Sequence, residues 1–336
     1  MKKVFLHIGT HKTGSTSIQR ELYENRKNLQ SKGFYYPQSC ANEDGNHSPL
    51  AWAICRDERV NYNKVLEAFK DEVKACKDNE TLVISGEEFE YLSGKEISEL
   101  KQLLCTMEFE TTIVCYFKPQ AALIRSEYVE WIKQGLTSDN FSVFWRLHSR
   151  LDRYNYYKIW HQWCSHFGES NVRVRSYEDS LHLSNGVIDD FYEVIGLENH
   201  KPLLKIKSYN SSPSAEVISS WLLYLKQLEV TSGVDYSVAN FMYMPHERGK
   251  RKNVYQVLSK IKALVDENVE GIKFCGYRNN EFYQCMAKYE DSNRELFTRL
   301  GRELWSTDVF SVSEANSVKI SVSLLEKIYN LILKEC

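Results

Sequence analysis

The stretch that most constrains the fold is residues 4–22, which join an apolar run, a polar loop and a helical pattern. Val4–Ile8 is short, apolar and β-branched, which predicts a buried strand. Gly9–Gly14 is a loop with a glycine at each end, and from Ser15 onward apolar residues recur four positions apart, as on a helix face. Strand, loop and helix start together direct loop amides and the first helical N–H groups at one point, which favours a bound anion.

The loop fits the phosphate-binding loop of nucleoside-triphosphate enzymes in its frame but not in its lysine. That pattern is G-x-x-x-x-G-K-[ST]. Gly9, Gly14 and Thr16 hold the right positions, whereas Ser15 stands where the lysine belongs, and the basic residue lies inside the loop as Lys12. A cation in that place lies beside a bound phosphate and does not reach past it to a γ-phosphate.

This arrangement resembles the 5′-phosphosulfate loop of sulfotransferases that use 3′-phosphoadenosine 5′-phosphosulfate (PAPS). Their pattern is a lysine, a small residue, a glycine and then hydroxyl residues, and it is matched here by Lys12, Thr13, Gly14, Ser15, Thr16 and Ser17. The resemblance implies PAPS as sulfuryl donor, 3′-phosphoadenosine 5′-phosphate (PAP) as product, and a fold of the P-loop type.

A second element of the resemblance concerns the 3′-phosphate. In these enzymes a strand ends in an arginine, a serine follows eight positions later on the next helix, and the two hold the 3′-phosphate. Lys118 and Ser126 have that spacing here. Lysine keeps the charge but lacks the bidentate fork of arginine. Arg125 and the basic residues 250–252 are candidates to supplement the grip, a point the sequence leaves open.

Further stretches resemble bacterial family members that act on carbohydrate or related acceptors. They are Gly45–Ser48, Ser85–Phe89, Tyr177–Glu178 and a late helix, Tyr289–Leu300. The resemblance implies an acceptor hydroxyl or amine, which no motif of this sequence identifies. Our first hypothesis is a sugar hydroxyl on a glycan or glycolipid, and the second is a small aromatic or lipid alcohol.

The order of strand and helix patterns predicts an α/β fold, with a central, mainly parallel sheet flanked by helices in three layers. Predicted strands lie at 4–8, 34–36, 81–85, 111–117 and 171–176. From about residue 200 strand patterns disappear, and helical patterns lie near 214–230, 253–267, 280–301 and 321–334. We therefore divide the chain into an α/β PAPS-binding core at 1–200 and a helical extension packed on it at 201–336.

Sulfuryl transfer assigns roles to residues at the carboxyl edge of this sheet. Lys12 and the loop donors would neutralise the leaving phosphate oxygen, so no metal ligand is predicted. The acceptor needs a general base, for which His47, before a helix, and Glu87, after a strand, compete. His47 is favoured because an unperturbed histidine has a pKa near ~6.5. Glu87 would need burial or the neighbouring charge of Glu88 to raise its pKa.

Two other classes of function stay open. A P-loop kinase-like phosphotransferase would share the fold, but it needs lysine at position 15 and an aspartate that closes an apolar strand. The two apolar strands end in Ser85 and Lys118 instead. A non-catalytic nucleotide-binding protein would need no general base.

Composition narrows the partners and the compartment. The net charge of −2 does not indicate electrostatic attraction to nucleic acid or to an anionic membrane. Nine widely spaced cysteines without C-x-x-C predict reduced thiols, not a disulfide framework or a zinc site. No stretch reads as a signal peptide or a membrane span, so we expect a soluble, cytoplasmic protein. No pattern indicates the oligomeric state.

Overall fold

The computed structural model describes residues 2–197, 213–233, 235, 237, 254–278, 280–306 and 320–335. These residues form two compact units that alternate along the chain. The first, here the α/β unit, contains residues 2–118, 155–197 and 291–306. The second, here the helical unit, contains the described residues of 119–154, 213–290 and 320–335. The domain boundary predicted at residue 200 lies outside the described residues, so the division into 1–200 and 201–336 stays a prediction.

The α/β unit is built on a five-stranded sheet in which all neighbouring strands are parallel. The strands are β1 (Lys2–His7), β2 (Phe34–Tyr35), β3 (Thr81–Ser85), β4 (Phe109–Phe117) and β5 (Val172–Ser176). Their order is β2-β3-β1-β4-β5, so β1 is central and lies between β3 and β4. The predicted α/β class with a central parallel sheet is confirmed.

Helices follow the strands and continue to the end of the described chain. In order they are α1 (Ser15–Glu24), α2 (Arg26–Ser31), α3 (Ser48–Ile54), α4 (Tyr62–Val73), α5 (Gly94–Thr106), α6 (Gln120–Lys133), α7 (Phe141–His148), α8 (Tyr156–Phe167), α9 (Tyr177–Ser180), α10 (Val187–Ile195), α11 (Ala215–Ser232), α12 (Val254–Asn268), α13 (Glu281–Ala287), α14 (Glu290–Leu300) and α15 (Val322–Glu335). Short 3₁₀ turns lie at Glu87–Tyr91, Asp152–Tyr154 and Glu169–Asn171.

Helices cover both faces of the sheet in the α/β unit. On one face, alternate strand residues pack in a single apolar cluster with α1, α2 and α10. The strand members of this cluster are Phe5, Val83, Val114 and Tyr116. The residues between them, such as Leu6, Ile84 and Ile113, are equally buried, and α5 and α8 contact β4. Burial on both faces explains why these strands are continuous apolar runs and not alternating ones.

The helical unit contains α6, α7, α11, α12, α13 and α15. Within it α11 packs against α6 and α12, and α12 packs against α15. The Trp221 indole N–H donates to the Leu258 carbonyl at 2.7 Å, which ties α11 to α12. In the described chain beyond residue 197, β pairing is limited to an isolated bridge between Ser214 and Lys273. Helices lie at the predicted segments near 214–230, 253–267 and 321–334, whereas the predicted segment 280–301 is divided into α13 and α14.

Two further findings concern membrane-spanning helices and cysteines. None of the helices in the described ranges is both long and apolar enough to cross a lipid bilayer. The eight cysteines that the structure describes are all free thiols.

Candidate functional site

The site lies at the edge of the sheet where the strands end. Because the strands are parallel, the segments after β1, β3, β4 and β5 all leave the sheet at this edge. These segments are the loop Gly9–Gly14, the turn Glu87–Tyr91, Lys118 and Tyr177. The chain crosses from β3 to β4 on the far side of β1, so the strand order reverses at β1. Open α/β sheets bind ligands at such a point.

The loop Gly9–Gly14, which we call the donor loop, is fixed to β4 by backbone hydrogen bonds. The Thr10 N–H donates to the Tyr116 carbonyl at 3.1 Å, and the Tyr116 N–H donates to the Gly9 carbonyl at 2.7 Å. The Thr13 hydroxyl then donates to the Thr10 carbonyl at 2.6 Å. The beginning of the loop thus extends β1, and its second half folds back on the first.

Glycine is required at both ends of the donor loop. Gly9 has φ +95° and Gly14 has φ +81°, a region that other residues rarely adopt. A Cβ at Gly9 would lie 3.1 Å from Glu87 Cβ, and one at Gly14 would lie 2.7 Å from Val187 Cγ1 and 3.3 Å from the Tyr177 ring. The two glycines therefore let the loop approach the turn after β3 on one side and the starts of α9 and α10 on the other.

The start of α1 offers donors to an anion. Gly14 precedes the helix, and no side chain caps it. Within the described chain, no residue accepts a hydrogen bond from the amides of Thr13, Gly14, Ser15 or Thr16. Lys12 has φ +62°, so the loop turns in the left-handed region just before these amides. Such N–H groups and the helix dipole favour negative charge.

The hydroxyl residues predicted for this site differ in their availability. Thr16 is exposed, Ser17 is half-buried and Ser15 is buried. The Thr13 hydroxyl is used within the loop, as described above. The predicted Lys12–Ser17 motif thus lies at the start of α1, and of the two donors of Thr13 the hydroxyl is already used within the loop.

Lys118 lies beside the same loop. It is 5% exposed, and its carbonyl accepts the Tyr156 hydroxyl at 2.8 Å. Its Nζ lies 5.5 Å from the centroid of the Tyr177 ring, the ring on which Gly14 packs. A buried ammonium is therefore held close to the donor loop, within the α/β unit.

Ser126, the predicted partner of Lys118, belongs to the helical unit. Its hydroxyl donates to the Ala122 carbonyl at 2.9 Å, one turn back on α6. Arg125 lies in the same helix, and the basic residues 250–252 lie outside the described residues. A joint site of Lys118 and Ser126 for a 3′-phosphate stays a prediction.

His47 is buried at the end of β3, and the structure corrects its assignment as general base. The Ser85 N–H donates to His47 Nδ1 at 3.0 Å, so the ring proton lies on Nε2, which donates to the Pro37 carbonyl at 2.9 Å. The ring is 0% exposed, and burial lowers its pKa to about 4, although the Pro37 carbonyl acts to raise it. No lone pair on the ring remains for an acceptor proton, so the prediction of His47 as base is wrong.

Glu87, unlike His47, is held by hydrogen bonds to one oxygen of its carboxylate and keeps the second oxygen for a proton. Its Oε2 accepts the Gln19 side-chain amide at 2.6 Å and the Asn46 side-chain amide at 2.8 Å. Asn46 is itself held, because its Oδ1 accepts both the N–H and the hydroxyl of Ser48, at 2.6 and 2.7 Å. Two amides thus orient the half-buried carboxylate against the start of the donor loop. The second oxygen, Oε1, accepts no hydrogen bond from the residues that the structure describes.

His11, inside the donor loop, is a site residue that the sequence analysis missed. Its N–H donates to Glu90 Oε2 at 2.9 Å, and its ring lies between the carboxylates of Glu90 and Glu88. The available signal was the acidic run after β3, because a parallel sheet brings that run to the edge where the loop lies. No group of three or more His, Cys, Asp or Glu side chains suited to a metal ion occurs in the described ranges.

The sheet edge therefore combines anion donors, a buried ammonium and an oriented carboxylate. Such a set can bind a phosphorylated ligand and accept a proton beside it. Comparisons of this chain with models of protein families, with curated proteins and with solved structures found no match.

Proposed function

We propose that this protein is a sulfotransferase that moves a sulfuryl group from PAPS to an acceptor hydroxyl or amine. The observation that carries the proposal is the gathering of three groups at one sheet edge. They are the amides at the start of α1, the buried ammonium of Lys118 and the hydrogen-bonded carboxylate of Glu87. The Lys12–Ser17 motif, with its cation inside the loop, is what favours PAPS over a nucleoside triphosphate.

The donor side of the reaction is assigned to the loop and to Lys118. PAPS supplies a sulfuryl group whose bond to the 5′-phosphate oxygen breaks as the acceptor atom bonds to sulfur. Lys12 and the amides of the loop would stabilise the negative charge that develops on that oxygen, which needs no metal ion in this scheme. Preorganised donors of this kind contribute roughly 10²–10³ in rate. Lys118 would bind the 3′-phosphate.

The acceptor side is assigned to Glu87. Gln19 and Asn46 occupy one oxygen of its carboxylate, so the other can take the proton that the acceptor loses on attack. General base catalysis contributes typically ~10²–10⁴ in rate. A sugar hydroxyl is the proposed acceptor, on the strength of the resemblance to bacterial enzymes that act on carbohydrates. Transfer of radiolabelled sulfate to a panel of oligosaccharides, phenols and lipid alcohols tests this choice.

Calorimetry tests the donor. In the absence of divalent metal, we expect PAP to bind more tightly than AMP, and more tightly than ATP binds with Mg²⁺ present. The physical reason is that only PAP presents a phosphate to both the loop and Lys118. A preference for ATP with Mg²⁺ would overturn the proposal in favour of phosphoryl transfer.

The same measurement on Lys118→Ala tests whether Lys118 binds the 3′-phosphate. The substitution should reduce the preference for PAP over AMP, while Lys101→Ala should leave it unchanged. Lys101 is a suitable control because its Nζ donates to the His166 carbonyl on an exposed surface of the same unit. If Lys118→Ala kept the full preference, the 3′-phosphate would have to bind elsewhere.

A further inference from the structure

His11 is held in the middle of the donor loop by carboxylates of the turn after β3. Its N–H donates to Glu90 Oε2 at 2.9 Å, and its Nδ1 lies 2.9 Å from Glu90 Oε1. Its Nε2 lies 3.8 Å from Glu88 Oε1. One carboxylate therefore accepts the backbone N–H and lies beside one ring nitrogen, and a second carboxylate lies near the other ring nitrogen.

The side chains of Glu90 and His11 differ in their exposure to solvent. The side chain of Glu90 is 2% exposed, whereas that of His11 is 24% exposed. A buried carboxylate is costly unless a cation or hydrogen-bond donors compensate for its charge. His11 supplies such compensation to Glu90, and it is the ring, packed at 5.2 Å from the Tyr91 ring, that reaches solvent.

The carboxylates at the two ring nitrogens favour the protonated form of the ring, whereas the neighbouring charge of Lys12 acts against it. Glu88 and Glu90 face the ring from the turn, and Lys12 adjoins it on the loop. Burial acts to raise the pKa of Glu88, but the hydrogen bond and charge of His11, together with Trp52 and Arg59, outweigh burial and lower that pKa. Opposite charge within about 4–6 Å favours the charged state of both partners.

We propose that His11 is a second cation of the donor loop, and that binding of an anion to the loop draws a proton onto its ring. The identity of the anion, a nucleotide 5′-phosphate, rests on the proposed function. A phosphate adds negative charge beside a ring that already faces two carboxylates, which favours the imidazolium further. Linkage then requires that protonation of His11 strengthens binding by the same factor.

The test is calorimetry of PAP binding to the full chain between pH 6.0 and 8.5, in buffers that differ in ionisation enthalpy. The wild type should take up a larger fraction of a proton than His11→Gln. Its affinity should exceed that of His11→Gln by about tenfold at pH 6 and by progressively less toward pH 8.5. Ionisation of the PAP phosphates is common to all variants and cancels in the comparison.

Two further variants make the result specific. His11→Lys carries a permanent charge, so it should keep high affinity for PAP and lose the proton uptake. It replaces His11→Gln in the comparison if His11→Gln does not fold. His161→Gln removes an exposed histidine of α8 and should match the wild type.

Two outcomes would overturn the inference in distinguishable ways. Equal proton uptake and parallel pH profiles for wild type, His11→Gln and His11→Lys would mean that His11 only anchors Glu90. PAP bound in preference to ATP would then leave the proposed function standing. If the wild type bound no PAP at any pH, the proposed function and this inference would both fail.

Discussion

Two histidines beside the same sheet edge, His47 and His11, are in opposite environments. His47 is enclosed, with a backbone N–H on one ring nitrogen and a backbone carbonyl on the other. His11 is partly exposed, and its ring lies between the carboxylates of Glu88 and Glu90. The first environment fixes a neutral ring in one tautomer, and the second presents two carboxylates to the ring, which is the basis of the cation inferred above.

The difference shows that the atoms around the ring nitrogens decide what a histidine can do. His47 is next to a residue that does contact the candidate base, because Asn46 donates to Glu87. The His47 N–H also donates to the Ser85 carbonyl at 2.8 Å, which fastens this segment to the end of β3. In the proposed reaction His47 would therefore position Glu87 through Asn46, and it would not accept the proton.

The largest effect expected from this comparison is on turnover. Glu87→Gln removes the proposed proton acceptor but keeps the size of the side chain, so turnover should fall by about 10²–10⁴. His47→Gln should lower turnover by no more than about tenfold, because it removes only about one hydrogen bond that helps to position Glu87. Both variants are measured as initial rates of sulfate transfer at saturating PAPS.

Glu96→Gln is the matched control for this pair. Glu96 caps the start of α5 in a capping box with Ser93, and glutamine can take the same place. Its turnover should equal that of the wild type. If His47→Gln lost as much turnover as we expect of Glu87→Gln, and Glu87→Gln stayed active, the roles of the two residues would be reversed.

Much of the fold was predictable because its signals are local. The apolar runs at 4–8, 81–85 and 111–117 predict strands that the structure contains as β1, β3 and β4. A continuous apolar run predicts a buried strand by itself, without knowledge of the residues that pack against it. The loop between Gly9 and Gly14 was predictable for the same reason, since strand, turn and helix follow directly in sequence.

The environments of the two histidines were not predictable from local signals. His47 Nδ1 accepts a hydrogen bond from the N–H of Ser85, which lies 38 positions away in sequence. The N–H of His11 donates to the carboxylate of Glu90, which lies 79 positions away. The His11 contact depends on β3 lying next to β1, and the His47 contacts depend on β3 lying next to β2, which Pro37 follows. The sequence places a histidine near an edge, but only the register of the sheet decides whether backbone or carboxylate surrounds it.

A smaller effect is expected on stability in acid. Burial lowers the pKa of His47 to about 4, below the ~6.5 of an unfolded histidine. Between these values the unfolded chain binds more protons, so the free energy of unfolding falls as the pH falls. From pH 7 to pH 5 the wild type should lose about 2 kcal/mol more than His47→Gln.

Urea unfolding at pH 7, 6 and 5 measures this difference. His7 is also fully buried, with its pKa lowered by burial to about 3, but it is present in both proteins and cancels. Parallel losses of stability in wild type and His47→Gln would show that the His47 ring is accessible to protons in the folded state.

The last prediction concerns the protonation of the two rings, and it involves no change in stability or rate. In spectra of protein labelled with ¹⁵N at histidine, the His47 signals should stay those of a neutral ring with the proton on Nε2 from pH 5.5 to 8. A ring with a pKa of about 4 is almost unprotonated throughout that range. The signals lost in His11→Gln should change with pH in the wild type, and those lost in His47→Gln should not. A His47 ring that carried its proton on Nδ1 would lack the bond from Ser85, and its free nitrogen would again make it a candidate base.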